Sequence, residues 1–203
     1  MNIAIIDYGM GNLFSVQRAF EKCGCKPIIT SNPQDLYLAD KIVLPGVGAF
    51  ADAMYNLENE GWIKPIKDSV IDDKIPILGI CLGMQLLADK SYENGETQGL
   101  GLIHGMVEKF EPKENERIPH VGWNDVYIKN YHIIFDGIQD ETNFYFVHSY
   151  HFVVEDNNNV GTITPYCGEF VSSVIADNII GTQFHPEKSQ KAGFRLIRNF
   201  INL

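Results

Sequence analysis

Ile75-Pro76-Ile77-Leu78-Gly79-Ile80-Cys81-Leu82-Gly83 is the stretch that decides the fold. From Ile75 to Ile80 the run is apolar without interruption, which predicts a short strand buried on both faces, the pattern of a parallel sheet covered by helices. Leu82 to Lys90 reads as the helix that follows. The junction carries Gly79-Ile80-Cys81-Leu82-Gly83, the Gly-x-Ser-x-Gly elbow with sulfur in place of oxygen. So sharp a turn brings together the residues two either side of Cys81, and glycine at 79 and 83 removes the side chains that would collide. Such a turn would present Cys81 to solvent at a helix amino terminus, where the backbone dipole favours a thiolate. A small buried cysteine between two packing glycines would leave the same pentapeptide, so context has to decide.

Outward from this junction the first half alternates strands and helices. Ile3 to Asp7, residues 27–30 and residues 41–44 read as strands, the last two closed by Ser31-Asn32-Pro33 and Pro45-Gly46. Residues 12–22, 49–59 and 62–72 carry helical spacing. Between Leu100 and Gly181 the character changes to short alternating or aromatic segments, such as Phe144-Tyr145-Phe146-Val147 and Phe170 to Ile175, and residues 189–201 close the chain as an amphipathic helix. The expected fold is α/β: a mostly parallel sheet flanked by helices, with a β-rich C-terminal half, residues 1–203 forming a single domain.

Composition narrows the function classes. A net charge of -10 disfavours a protein that reads nucleic-acid backbones, which needs clustered Lys and Arg. The opening Met1 to Asp7 lacks the basic start of a signal peptide, and no apolar run approaches the ~18 residues of a membrane span, so a cytoplasmic protein is expected. Four cysteines (Cys23, Cys25, Cys81, Cys167) are too few for a disulfide framework. One Cys-x-Cys without a second ligand pair falls short of a zinc site, and neither a metal nor a cofactor is expected.

Two further motifs supply the context for Cys81. Gln183-Phe184-His185-Pro186-Glu187 places a base and an orienting carboxylate two residues apart on a Pro-stiffened stretch, which is what a cysteine amidase needs to move the thiol proton to a leaving amine. His104 and His132 are assigned structural roles instead. Pro45-Gly46-Val47-Gly48-Ala49-Phe50 follows a strand, and in an elbow enzyme the tetrahedral oxyanion is held by the amide after the nucleophile, here Leu82, plus one from such a loop, here Val47.

With these motifs the chain resembles the triad-type, class I glutamine amidotransferases, over residues 3 to 201. Asp7 to Asn12, Pro119-His120-Val121-Gly122-Trp123-Asn124 and Phe146 to Tyr150 are similar to the branch serving as glutaminase subunits of imidazole glycerol phosphate synthase. The resemblance implies that Cys81, His185 and Glu187 are catalytic and that Val47 and Leu82 form the oxyanion hole. It implies that Gln85, Glu93, Ser149, the Tyr150 backbone and Gly48 bind L-glutamine. It also implies that Asn12, His120, Trp123 and Lys188 face a synthase (cyclase) subunit in a heterodimer. His151 departs from the pathway's members, which often carry Tyr there.

Other classes fit less well. Gly9-Met10-Gly11 has Phe14 where a dinucleotide fingerprint requires its third glycine, which excludes that module. The same glutaminase chemistry feeding a sugar-aminating synthase, and a free-standing hydrolase of γ-glutamyl bonds, remain open at this level.

Overall fold

The structure, a computed structural model, describes residues 1–113 and 116–203. Among them lie thirteen strands: β1 (Ile3–Ile6), β2 (Ile28–Thr30), β3 (Lys41–Gly46), β4 (Ile77–Cys81), β5 (Lys90–Ser91), β6 (Thr97–Gln98), β7 (Gly105–Lys109), β8 (His120–Ile128), β9 (Thr142–His148), β10 (Tyr150–Val154), β11 (Val160–Pro165), β12 (Glu169–Ala176) and β13 (Ile179–Thr182). The α-helices are α1 (Leu13–Lys22), α2 (Phe50–Asn59), α3 (Ile63–Lys67), α4 (Leu82–Gln85) and α5 (Gln190–Ile201). Strands β2, β1, β3, β4 and β13 run parallel in that order, and β12, β10 and β7 continue the sheet antiparallel to its edge at β5 and β6. The parallel sheet and the β-rich second half expected of this α/β chain are both present.

The pleat of the parallel strands divides the core in two. Ala4 and Ile6 of β1, Ile42 and Leu44 of β3 and Ile77 of β4 face the layer of Phe50, Leu57, Trp62 and Ile66. Their alternating neighbours Ile3, Ile5, Val43, Leu78 and Ile80 face Val16 and Phe20 of α1 and Leu196, Ile197 and Phe200 of α5. Phe20 and Phe200 meet edge to face at 6.3 Å where α1 crosses α5. Strands buried on both faces need continuous apolar runs, which is why β1, β3 and β4 were legible.

One helix is shorter than its spacing predicts. Leu82 to Lys90 yields only the single turn of α4, because groups its continuation would pair are claimed elsewhere: Asp89 N donates to Gly105 O at 3.1 Å, and the carbonyls from Leu86 onward accept from amides of the returning segment. Leu100 N donates to Leu86 O at 2.9 Å, Leu102 N to Leu87 O at 2.8 Å and Gly101 N to Ala88 O at 2.9 Å. Tertiary pairing overrides helical propensity there. No helix of the described residues is long and apolar enough to cross a membrane.

Candidate active site

Three adjacent parallel strands end at one place. Gly46 of β3 pairs with Cys81 of β4, and Thr182 of β13 pairs with Ile80, so the three loops following these strands emerge side by side. Clefts outside the carboxyl ends of parallel strands are the usual binding places of α/β sheets. Here a cleft of about 350 Å³ is lined by Val47, Gly48, Cys81, Leu82, Gln85, Glu93, Ser149, Tyr150 and His185, with Pro119, Val147 and His148.

Cys81 adopts φ 55° and ψ -109°, a conformation L-residues rarely hold, of the kind that persists where surrounding structure over-determines it. The glycines enforce it. A Cβ on Gly79 would lie 2.6 Å from Gly83 O, the collision anticipated across the elbow. At Gly83 the obstacle is different: a Cβ would lie 1.8 Å from Leu44 O, so this glycine lets the turn after β4 settle against β3. Cys81 is 6 % exposed, in the wall of the cleft rather than presented to open solvent as expected, and the one-turn α4 supplies little of the dipole invoked for it.

His185 Nδ1 and Glu187 Oε1 are 2.7 Å apart, with both side chains almost fully buried. A carboxylate only accepts, so Nδ1 donates. Nε2 is buried without a hydrogen-bond partner among the described residues, and the ring shares the wall of the cleft with the Cys81 sulfur. Burial disfavours the imidazolium, but the Cys81 sulfur and the Glu187 carboxylate outweigh it and lift His185 to about 9.

Gln85 is 5 % exposed; its Nε2 donates to Tyr150 O at 3.0 Å and to Gln183 Oε1 at 2.9 Å. Gln183 Nε2 in turn approaches Cys81 Sγ at 3.7 Å. Glu93 Oε2 accepts from Phe50 N at 2.7 Å, capping α2, whose own N-cap residue Ala49 has no side-chain oxygen to offer. Tyr8, fully buried, donates from its hydroxyl to Pro45 O at 2.9 Å at the root of the Val47 loop, and burial pushes its phenol well above its ordinary range.

The residues assigned to a partner surface separate. Trp123 is 46 % exposed and packs edge to face on Tyr145, and Lys188 Nζ lies 5.7 Å from the same ring. Asn12 is exposed and caps α1, its Oδ1 accepting from Ser15 N at 3.3 Å. His120 does not belong with them: it is 4 % exposed, stacked between Phe146 and Tyr166, and its two ring nitrogens bond His148 and Asn124. Alternation along β8 turns it inward. Sequence reasoning gave no role to Tyr145, His148 or Gln183; His148 and Gln183 both stood inside quoted motifs, and the partnership of His148 with His120 becomes visible only through the pairing of β8 with β9.

No group of three or more His, Cys, Asp or Glu among the described residues is placed to hold a metal ion. The family model "Glutamine amidotransferase class-I" matches residues 4–203. The chain is 50% identical over 201 residues to the imidazole glycerol phosphate synthase subunit HisH 1 of Campylobacter jejuni strain RM1221, covering 99% of this chain and 100% of that one. It is 48% identical to the HisH subunit of Geobacter sulfurreducens, covering 98% and 97%. In fold it is similar to the PurLQS structure of Thermotoga maritima, with TM-score 0.78 at 19% identity over 99% of this chain and 97% of that one. An end-to-end family match and relatives half identical along their whole length lead to one statement: the chain belongs to the class-I glutamine amidotransferases.

Proposed function

We propose that the chain is the glutaminase subunit of imidazole glycerol phosphate synthase, hydrolysing L-glutamine to L-glutamate and ammonia and passing the ammonia to a cyclase subunit in histidine biosynthesis. The observation that carries the chemistry is the pairing of His185 with the Glu187 carboxylate at 2.7 Å, next to a cysteine held at φ 55° on the wall of a cleft. The names of relatives half identical to it along their length support the pathway.

In this reading Cys81 Sγ adds to the carboxamide carbon of glutamine, and the carbonyl electron pair moves onto oxygen, where the amides of Val47 and Leu82 hold it. His185, its Nδ1–H directed at Glu187, gives a proton to the departing nitrogen; the C–N bond breaks, leaving ammonia and a glutamyl thioester. A water molecule then loses a proton to His185 and adds to the thioester, and collapse expels Cys81 and releases glutamate. Gln85, Ser149, Gly48 and the Tyr150 backbone meet the amino-acid end of the substrate. Glu93 offers its Oε1 to the α-ammonium, since Oε2 is engaged at Phe50. Residues 1–203 act as one amidotransferase domain in the cytoplasm, and Asn12, Trp123 and Lys188 form the surface toward the cyclase in a heterodimer.

The test is Cys81→Ala in the complex with the cyclase. Glutamine-dependent synthesis should vanish while ammonia-dependent synthesis persists. Glutamine hydrolysis surviving in the variant would remove Cys81 from the mechanism.

A further inference from the structure

At the back of the glutamine cleft, where His148 forms part of the wall, lie two buried histidines that the reaction does not use. His120 and His148 stand directly opposite one another in the β8–β9 register, and their rings are joined by a bond of 3.0 Å between His120 Nδ1 and His148 Nε2. The protons of this pair follow from its ends. His148 Nδ1 lies 2.8 Å from Tyr150 O, and a carbonyl only accepts, so Nδ1 carries the proton. At the other end Asn124 Oδ1 accepts from Asp125 N at 2.8 Å, which fixes the amide orientation, and Nδ2 donates to Pro165 O at 3.1 Å and to His120 Nε2 at 3.2 Å. His120 Nε2 is therefore bare, its Nδ1 donates, and His148 Nε2 accepts. Every bond in the chain Asn124, His120, His148, Tyr150 O points the same way.

The surroundings keep both rings neutral. Phe146, Phe110, Phe170 and Tyr166 pack around them. The titratable groups acting on His148 are His120, His151 and His185, none of which is a carboxylate that could hold an imidazolium. Burial pushes His120 down to about 4 and His148 to about 3, the latter against the help of the Tyr150 carbonyl.

Tyr150 O is where the chain matters. The same oxygen accepts from Gln85 Nε2 at 3.0 Å, and Gln85 continues through Gln183 to the Cys81 sulfur. We propose that His120 and His148 form a neutral strut of single tautomer that positions the Tyr150 carbonyl and, through it, Gln85 at the amino-acid end of bound glutamine. Both are positioning residues; they transmit the placement of the β8 strand and relay no proton. The proposal rests on the glutaminase reading for its substrate, but the tautomers stand independently of it.

The intact chain labelled with 15N-histidine reads the strut directly by NMR. Both residues should show a protonated Nδ1 and a bare Nε2, unchanged from about pH 5 to 8, the range in which an ordinary histidine titrates. In the complex with the cyclase, His120→Phe retains a ring between Phe146 and Tyr166 and loses both hydrogen bonds. It should raise KM for glutamine by about tenfold, the scale of one lost hydrogen bond, with kcat within about twofold. His120→Asn, whose amide nitrogen can stand where Nδ1 stands, should restore most of the loss. An Nε2–H tautomer at either residue, a titration inside that range, or an unchanged KM in a folded His120→Phe would overturn the strut. If His120→Phe fails to fold, the wild-type tautomers decide. Failure of the glutaminase reading is seen separately, as glutamine hydrolysis persisting in Cys81→Ala with the tautomers unaffected.

Discussion

Replacing Cys81 by alanine should change the acid–base behaviour of a residue it leaves in place. His185 stands near 9 because the Cys81 sulfur and the Glu187 carboxylate together overcome a burial that alone would push it below its ordinary 6.5. The rise from 6.5 to about 9 corresponds to about 3 kcal/mol of preference for the imidazolium, so the two partners supply more than that between them. In Cys81→Ala the burial and the carboxylate remain and the sulfur is gone. The midpoint should fall by about 1 to 3 pH units, the scale of losing one close favourable partner, and at neutral pH the ring should move from protonated toward neutral. The assay is a titration of the intact chain followed at the imidazole carbon between its two nitrogens by NMR, in wild type and variant. Coinciding midpoints would refute the argument: they would mean that the sulfur does not act on the ring, and that His185 is not poised by Cys81 to protonate a leaving amine.

Three further outcomes follow from the geometry. Burial pushes the thiols of Cys23, Cys25 and Cys167 upward, so an electrophilic glutamine analogue should label Cys81 first; peptide mapping that finds another cysteine modified ahead of it would undercut the site. Gly83→Ala drives a methyl to 1.8 Å from the Leu44 carbonyl and should cost about 3 kcal/mol or more in urea unfolding, whereas a small change would mean that β3 and the elbow can part. Glu93→Ala removes the cap of α2 and should lower stability by about 1 kcal/mol while raising KM for glutamine; a KM effect with no stability effect would show that Phe50 N finds another acceptor.

Much of the site was legible because its motifs answer to backbone constraints that few residues satisfy. Gly79 and Gly83 stand where no side chain fits, and Pro186 stiffens the span that carries His185 and Glu187, so short strings of sequence held most of the geometry. What escaped depends on partners distant in sequence. The helix expected from Leu82 to Lys90 ends at Gln85 because Gly105 takes the Asp89 amide and Leu100 the Leu86 carbonyl, and local periodicity contains no trace of that competition. The resemblance sets His120 on the surface toward a synthase subunit; only the pairing that places it opposite His148 shows it facing inward. Gln183 sat in a motif whose other members drew attention, and its approach to Cys81 follows from the neighbouring positions of β13 and β4.

The span from Gly46 to Ala49 is tethered at both ends: Tyr8 holds the carbonyl before it, and Glu93 holds the amide after it. With its anchors fixed, such a span can reorient by a crankshaft turn of one peptide plane, in which ψ of one residue and φ of the next change by opposite amounts while the α-carbons stay nearly in place. Glycine at 46, whose ψ takes half of the turn of the Val47 amide plane, lowers its steric barrier. The direction of the Val47 N–H and the path of the chain are therefore separable properties. Two states differing by a full oxyanion donor would superimpose atom for atom along their α-carbon traces, and the difference would be carried by an amide hydrogen, visible to amide chemical shift and hydrogen exchange and silent in any comparison of folds.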